Sequence, residues 1–242
     1  MNPSDIFQEL AAYGEANLNP DNIRKYLRYF KEGFDSYGLS SEQLAGRVEW
    51  ILSLPGMNQE KVRAITLTLV KSPKYEMRII AVKLMQHFRK SWSEADFRTV
   101  EKWFSLGISN WAETDVICGE LMNLFFSKKI VALKDLETWR NAPNKFQRRA
   151  AVVSLIKPMK LSDGNFREYY RFIEPLMHDP DREVHQGLGW FLRETWKKQP
   201  SQAEEFLLKY KETAPRLIFQ YATEKMMKEG KERFRREKRS DR

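Results

Sequence analysis

The chain has 242 residues, with 42 Lys and Arg against 33 Asp and Glu, a net charge of +9. At roughly 100–200 residues per domain this is one large or two small domains, and a chain of this length buries about 70% of its unfolded surface without disulfide or metal staples. Cys118 is the sole cysteine, so no internal disulfide forms and a disulfide-framed secreted fold is excluded. The first residues show no basic segment followed by an apolar stretch, so no signal peptide is expected. The longest apolar runs, Ile79 to Val82 and Ala150 to Val153, are far too short to span a bilayer. At 42% hydrophobic and 13% aromatic residues the chain is too apolar to be disordered.

The charge is unevenly placed. Lys228 to Arg242 carries eight Lys and Arg against four Asp and Glu, a net +4 of the +9. Such a tail reads either as a solvated, frayed terminus or as a basic arm for nucleic acid. The expected organisation is a single domain over residues 1–227 with a basic tail over 228–242.

Taken in chain order, the pattern is helical nearly throughout. Ile79, Val82, Leu84 and Met85 form one apolar stripe. Val116, Ile117, Met122, Leu124 and Phe125 form a second, Val152, Leu155 and Ile156 a third, and Leu188, Phe191 and Leu192 a fourth. Spacings of three and four mark amphipathic helices, and no alternating strand or hairpin signal occurs. Breaks fall at Asn19-Pro20, Pro55-Gly56, Ser72-Pro73, Ala142-Pro143, Asp163-Gly164, Asp179-Pro180, Gln199-Pro200 and Ala214-Pro215, several of them just before a new stripe. Small residues are expected to open similar helices at Ala81, Cys118, Ala150, Gly187 and Ala222, at separations of 37, 32, 37 and 35. A period near 35 with two helices per unit is that of a helical solenoid, whose second helices line a concave face; an irregular helical bundle is the alternative.

Four groups stand out for chemistry. Trp111 and Asp115 are four apart, so one helical turn points them the same way. An electron-rich ring beside a carboxylate cradles a cation, although a first-turn acid beside a buried Trp gives the same pattern. Lys145, Arg148 and Arg149 sit near the start of a helix introduced by Asn141 to Asn144, where cations oppose the helix dipole and a phosphate reverses the sign, although solvated arginines with partners elsewhere on the helix give the same pattern. Trp190 lies in Gly187-Leu188-Gly189-Trp190, where two glycines within a helix indicate close approach of another helix or a ligand. Tyr26 is a phenol among Arg24, Lys25 and Arg28. His87, His178 and His185 have no zinc-ligand spacing, Cys118 has no partner, and no P-loop, dinucleotide or Ser-nucleophile motif occurs, so no metal or cofactor is expected.

With these segments in order, Asn110-Trp111-Ala112-Glu113-Thr114-Asp115, Phe146-Gln147-Arg148-Arg149-Ala150-Ala151 and Gly187 to Glu194, with Arg24-Lys25-Tyr26-Leu27, the chain resembles the AlkD-type DNA alkylation repair glycosylases from about Asn19 to Met227. The resemblance implies an all-α, right-handed superhelical solenoid of HEAT-like repeats with a concave DNA-binding groove. It places the family's catalytic Asp on Asp115, its sugar-contacting Trp residues on Trp111 and Trp190, its phosphate-contacting Arg on Arg149 (or Arg148, one residue away), and its lesion-side Tyr on Tyr26; Lys145 joins the DNA contacts. Asn110 departs from the pattern, standing where some members have a second Trp, which bears on DNA affinity or lesion preference more than on chemistry.

The implied reaction is hydrolysis of the N-glycosidic bond of N3- or N7-alkylated purines in duplex DNA, without a general acid and without base flipping. The implied partner is double-stranded DNA and the expected protein is a cytoplasmic monomer, associated with the nucleoid when on DNA. A helical-repeat protein that binds unusual DNA without excision, and a protein-binding scaffold, are the alternatives.

Overall fold

The computed structural model describes residues 1–30, 33–162 and 164–237, and every described element is helical. The chain forms two compact units, Met1–Ile130 and Val131–Arg242. The first holds α1 (Pro3–Ala16), α2 (Pro20–Leu27), α3 (Ser41–Ser53), α4 (Gln59–Leu69), α5 (Tyr75–His87), α6 (Glu94–Leu106), α7 (Trp111–Ile117) and α8 (Asn123–Ser127). The second holds α9 (Glu137–Arg140), α10 (Lys145–Val153), α11 (Ile156–Leu161), α12 (Arg167–Ile173), α13 (Arg182–Lys198), α14 (Pro200–Lys209), α15 (Arg216–Ala222) and α16 (Lys228–Glu232).

The Pro-containing breaks mark helix starts for a simple reason. Pro at a first helical position gives up an N–H that has no intrahelical partner. Pro3, Pro20 and Pro200 occupy that place in α1, α2 and α14. Side-chain caps complete the starts. Asn2 and Asp5 form a reciprocal capping box on α1, Ser40 and Gln43 another on α3, and Ser93 and Asp96 a third on α6. Asp163 lies outside the described residues.

In the first unit α5 is the central helix and packs on α3, α4 and α7. The stripe Ile79, Val82, Leu84, Met85 is wholly interior, and each such side chain contributes about 1.5–3 kcal/mol of hydrophobic stabilisation. The second stripe is interrupted by a π-helical turn, Cys118–Met122, between α7 and α8. The wider turn shifts the register of the helix face. Ile117, Leu121, Met122 and Phe125 turn inward, while Val116 and Leu124 are only half-buried.

In the second unit α13 packs on α10, α14 and α15. The small residues do not open their helices, as the period suggests. Counted from Tyr75, Lys145, Arg182 and Arg216, Ala81, Ala150, Gly187 and Ala222 fall at positions seven, six, six and seven, and Cys118 falls just past the end of α7, at the first residue of the π-turn. All five are buried where one helix meets the next. Gly187 shows why: a Cβ there would lie 3.3 Å from Arg149 Cγ and from Val153 Cγ2 of α10, and at Gly189, two residues on, a Cβ would lie 2.4 Å from Tyr221 Cβ and 2.7 Å from the Ile218 carbonyl oxygen of α15.

The basic tail is not a frayed end as far as Glu237. It begins with α16, buries Phe234 to 1% exposure near Phe219, and donates a hydrogen bond from Arg236 Nη2 to the Ala214 carbonyl at 2.9 Å. Residues 238–242 lie outside the described residues. Among the described residues no helix is long and apolar enough to cross a membrane.

Candidate functional site

Trp111 is the first residue of α7 and Asp115 stands one turn on. Asn110 is the N-cap; its side-chain oxygen accepts the Glu113 N–H at 2.9 Å. The residue that departs from the expected Trp therefore has a local structural duty. Thr114 Oγ1 donates to the Asn110 carbonyl at 2.8 Å. Glu113 and Thr114 point inward, and Trp111 stays 37% exposed, with Asp115 half-buried on the same side of the helix.

Trp111 has aromatic company that sequence reasoning missed. Its ring stacks on Phe30 with centroids 5.4 Å apart, and Phe30 stacks on Phe34 at 4.4 Å. Tyr75 leans on Phe34 at 5.1 Å and Tyr26 meets it edge-on at 6.5 Å. Together with Ile79, Val82 and Glu120 these rings line a cavity of about 590 Å³. Tyr26 and Trp111 thus share one cavity.

Glu76 holds the loop behind this wall. Its buried carboxylate accepts from Ser36 Oγ (2.6 Å) and from the backbone N–H groups of Tyr37 (3.0 Å), Gly38 (2.7 Å) and Leu39 (3.2 Å). Gly38 has φ +78 and a Cβ there would strike the Asn19 carbonyl oxygen at 2.4 Å. Asn22 Nδ2 donates to the Gly38 carbonyl at 3.0 Å. α2, which buries no residue of its own, is tied in this way to a loop that Glu76 clamps, and that tie positions Tyr26.

Behind α7 lies a buried ion pair, Arg78 with Glu113 at 2.8 Å. Burial pushes the Glu113 carboxyl up, against the opposing pull of Arg78. Tyr75 is pushed up to about 12, by burial first and then by the negative charge of Glu113. The clue in the sequence was the pair of charges Glu76 and Arg78 inside the apolar start of α5.

In the second unit the expected anion-binding cations already have protein acceptors. Arg148 donates from Nε to Asp179 Oδ2 at 2.6 Å, to Asp181, and from Nη1 to the Ala142 and Pro143 carbonyls at 2.9 and 3.0 Å. Its hydrogen bond to Asp179 holds the guanidinium above its ordinary value. Arg149 is 5% exposed and donates from Nη1 to the Glu183 carbonyl at 2.7 Å. Lys145 pairs with Glu183 at 3.2 Å. So the carboxylates before and at the start of α13 offset the cations that the helix dipole of α10 disfavours. Gly187 lets Arg149 lie flat, since a Cβ there would be 3.3 Å from Arg149 Cγ. Both glycines of the Gly187–Trp190 segment therefore serve helix packing. Trp190 itself is half-buried.

Cys118 is buried, His185 Nε2 sits against the Asp179 carbonyl at 2.5 Å, and no cluster of metal-ligand side chains occurs among the described residues.

A chain whose described elements are all helical, with a Trp–Asp turn on an outward face and a buried arginine near a helix start, narrows the field, and comparison decides the family. The model of the DNA alkylation repair enzyme family matches residues 8–226. The chain belongs to the DNA alkylation repair enzyme family. The fold is shared with a structure described as a predicted DNA alkylation repair enzyme from Enterococcus faecalis, at 17% identity, 87% of this chain, 97% of that chain and a TM-score of 0.68. It is also shared with AlkD2 from Streptococcus mutans, at 20% identity, 86% and 99% coverage and a TM-score of 0.58. A third is smu.31 from Streptococcus mutans UA159, at 18% identity, 92% and 100% coverage and a TM-score of 0.53. Comparison with curated proteins returns no match.

Proposed function

We propose that this member of the DNA alkylation repair family is an alkylpurine DNA glycosylase, which hydrolyses the N-glycosidic bond of cationic N3- or N7-alkylated purines in duplex DNA. The observation that carries the reading is the Trp111–Asp115 turn: an indole and a carboxylate on one outward side of a helix whose other side is anchored in the core.

The chemistry follows from the substrate. A cationic base leaves as a neutral molecule and needs no proton from an acid. Positive charge then grows on the deoxyribose as an oxocarbenium ion. A preorganised carboxylate lowers the energy of that charge, the kind of electrostatic contribution that mutagenesis commonly values at about 3–4 kcal/mol. Asp115 supplies it and orients the attacking water. The face of the Trp111 ring attracts the same developing cation. Trp190 is assigned the second sugar contact. Tyr26 is assigned to the lesion side, and Lys145, Arg148 and Arg149 to the DNA backbone. For these cations a phosphate contact is an addition to the carboxylate and carbonyl partners they already hold. The protein acts as a monomer and needs no cofactor.

A second reading, a family member that binds DNA without excising bases, is favoured by one observation: Phe30 covers one face of Trp111. The two readings separate in a single assay. The protein is incubated with methylated duplex DNA and the released bases are resolved by chromatography. Free 3-methyladenine or 7-methylguanine supports the glycosylase; salt-dependent binding with no free base supports the second reading.

A further inference from the structure

We propose that Arg78 and Glu113 are positioning residues for the Trp111–Asp115 turn, which they peg to the core from its reverse side. The proposal rests on the glycosylase reading and adds to it two residues that touch neither base nor sugar.

The geometry carries the argument. At 100° per residue, Glu113 lies about 200° around α7 from both Trp111 and Asp115, so it points away from the side they share. Glu113 is 1% exposed, and Arg78, reaching across from α5, is 6% exposed. Arg78 Nη1 donates to Glu113 Oε1 and Oε2 at 2.8 and 2.9 Å and to Ser109 Oγ at 2.9 Å. Glu113 Oε2 also accepts the Ser109 N–H at 3.2 Å. One ion pair therefore fixes three places at once: α5, the residue two before Trp111, and the third residue of α7.

The turn needs such a peg. α7 is seven residues long before it widens into the π-turn, and its first residue is an indole that packs outward on Phe30. Thr114 is the other inward-pointing polar residue of this first turn, and it bonds within α7's own start. The pair is also a poor device for stability alone. Buried ion pairs are often replaced by apolar side chains with no loss of stability, and Arg78 Nε here is buried with no hydrogen-bond partner. What the pair does supply is fixed geometry, and an active group displaced by about 1 Å loses on the order of 100-fold in rate.

The test separates position from stability. Glu113→Gln keeps the shape and removes the charge; the double variant Arg78→Met with Glu113→Leu replaces the pair by apolar contacts. The proposal expects Glu113→Gln to lower kcat for release of 7-methylguanine by about 10- to 100-fold, with KM for methylated DNA within about 2-fold. It expects the double variant to regain wild-type thermal stability and to remain as slow as Glu113→Gln. A double variant with wild-type stability and wild-type kcat overturns the proposal, because a merely structural pair is rescued along with the fold. If the wild-type protein releases no base, the glycosylase reading fails by itself. The positioning claim is then decided by ¹⁹F NMR of protein labelled with 5-fluorotryptophan, with the Trp111 signal assigned through Trp111→Phe. A Trp111 resonance that shifts or broadens in the double variant upholds it, and an unchanged resonance overturns it.

Discussion

Replacing Gly189 with Ala tests how the helix that carries Trp190 is held. Ala is the better helix former by about 1 kcal/mol, so propensity alone predicts stabilisation. Packing predicts the opposite. The new Cβ would sit 2.4 Å from Tyr221 Cβ and 2.7 Å from the Ile218 carbonyl oxygen, where carbon atoms ordinarily rest about 3.5–4.0 Å apart. The shortfall exceeds about 1 Å, and both obstacles belong to the backbone or first carbon of α15, so no rotamer change relieves it. α15 has to withdraw as a unit, which unseats Ile218, Phe219 and Ala222. Overpacking of this kind costs about 1–3 kcal/mol; taking the upper end against the propensity gain leaves about 2 kcal/mol of destabilisation. At about 2–4 °C per kcal/mol for a chain of this size, thermal unfolding followed by circular dichroism should show Tm lowered by about 4–8 °C. Gly46→Ala is the control: it lies inside α3 with nothing within 4 Å of a Cβ, and should raise Tm by about 2–4 °C. A Gly189→Ala protein that melts at or above the wild type refutes the packing argument.

Further outcomes follow from the first unit. Glu76→Ala removes the acceptor of four hydrogen bonds to the loop Ser36–Leu39, leaving the buried Tyr37 N–H unpaired, and should cost about 3 kcal/mol in urea unfolding; a loss under about 1 kcal/mol contradicts the clamp. Burial of Asp96 raises its pKa, but hydrogen bonds from Gln59, the Ser93 N–H and Arg63 outweigh that and hold it below the ordinary Asp value. The sign is then fixed: the stability it contributes is present above the unfolded value and disappears as pH falls through the lowered folded value. Asp96→Asn should therefore be less stable at pH 7 and lose less than the wild type on acidification; a parallel loss in both proteins contradicts this.

The fold was legible because helical spacing and Pro-marked starts are local signals. Asn19-Pro20 and Gln199-Pro200 fall where helices begin, and the first and fourth apolar stripes lie on single helices, α5 and α13, whereas the second runs through the π-turn and the third crosses the turn between α10 and α11. The small residues kept the period but not their place, since close approach occurs where helices meet, about two turns in. The Trp111–Asp115 turn was legible as a spacing of four. The aromatic column was not, because Phe30 and Phe34, Tyr75, and Trp111 come from three stretches far apart in the sequence that only the fold brings together. Nor were the carboxylates on Arg148, whose partners Asp179 and Asp181 are more than 30 residues away. The tail misled through composition: charge conceals one buried phenylalanine, Phe234.

The central claim is that Asp115 stabilises a sugar turning positive while its alkylated base departs. Single-turnover release of 7-methylguanine from methylated duplex DNA, compared between the wild type and Asp115→Asn, tests it most directly. Loss of a contribution of about 3–4 kcal/mol corresponds to a fall of about 100- to 1,000-fold, with DNA affinity nearly unchanged. Release by Asp115→Asn at the wild-type rate would contradict the account.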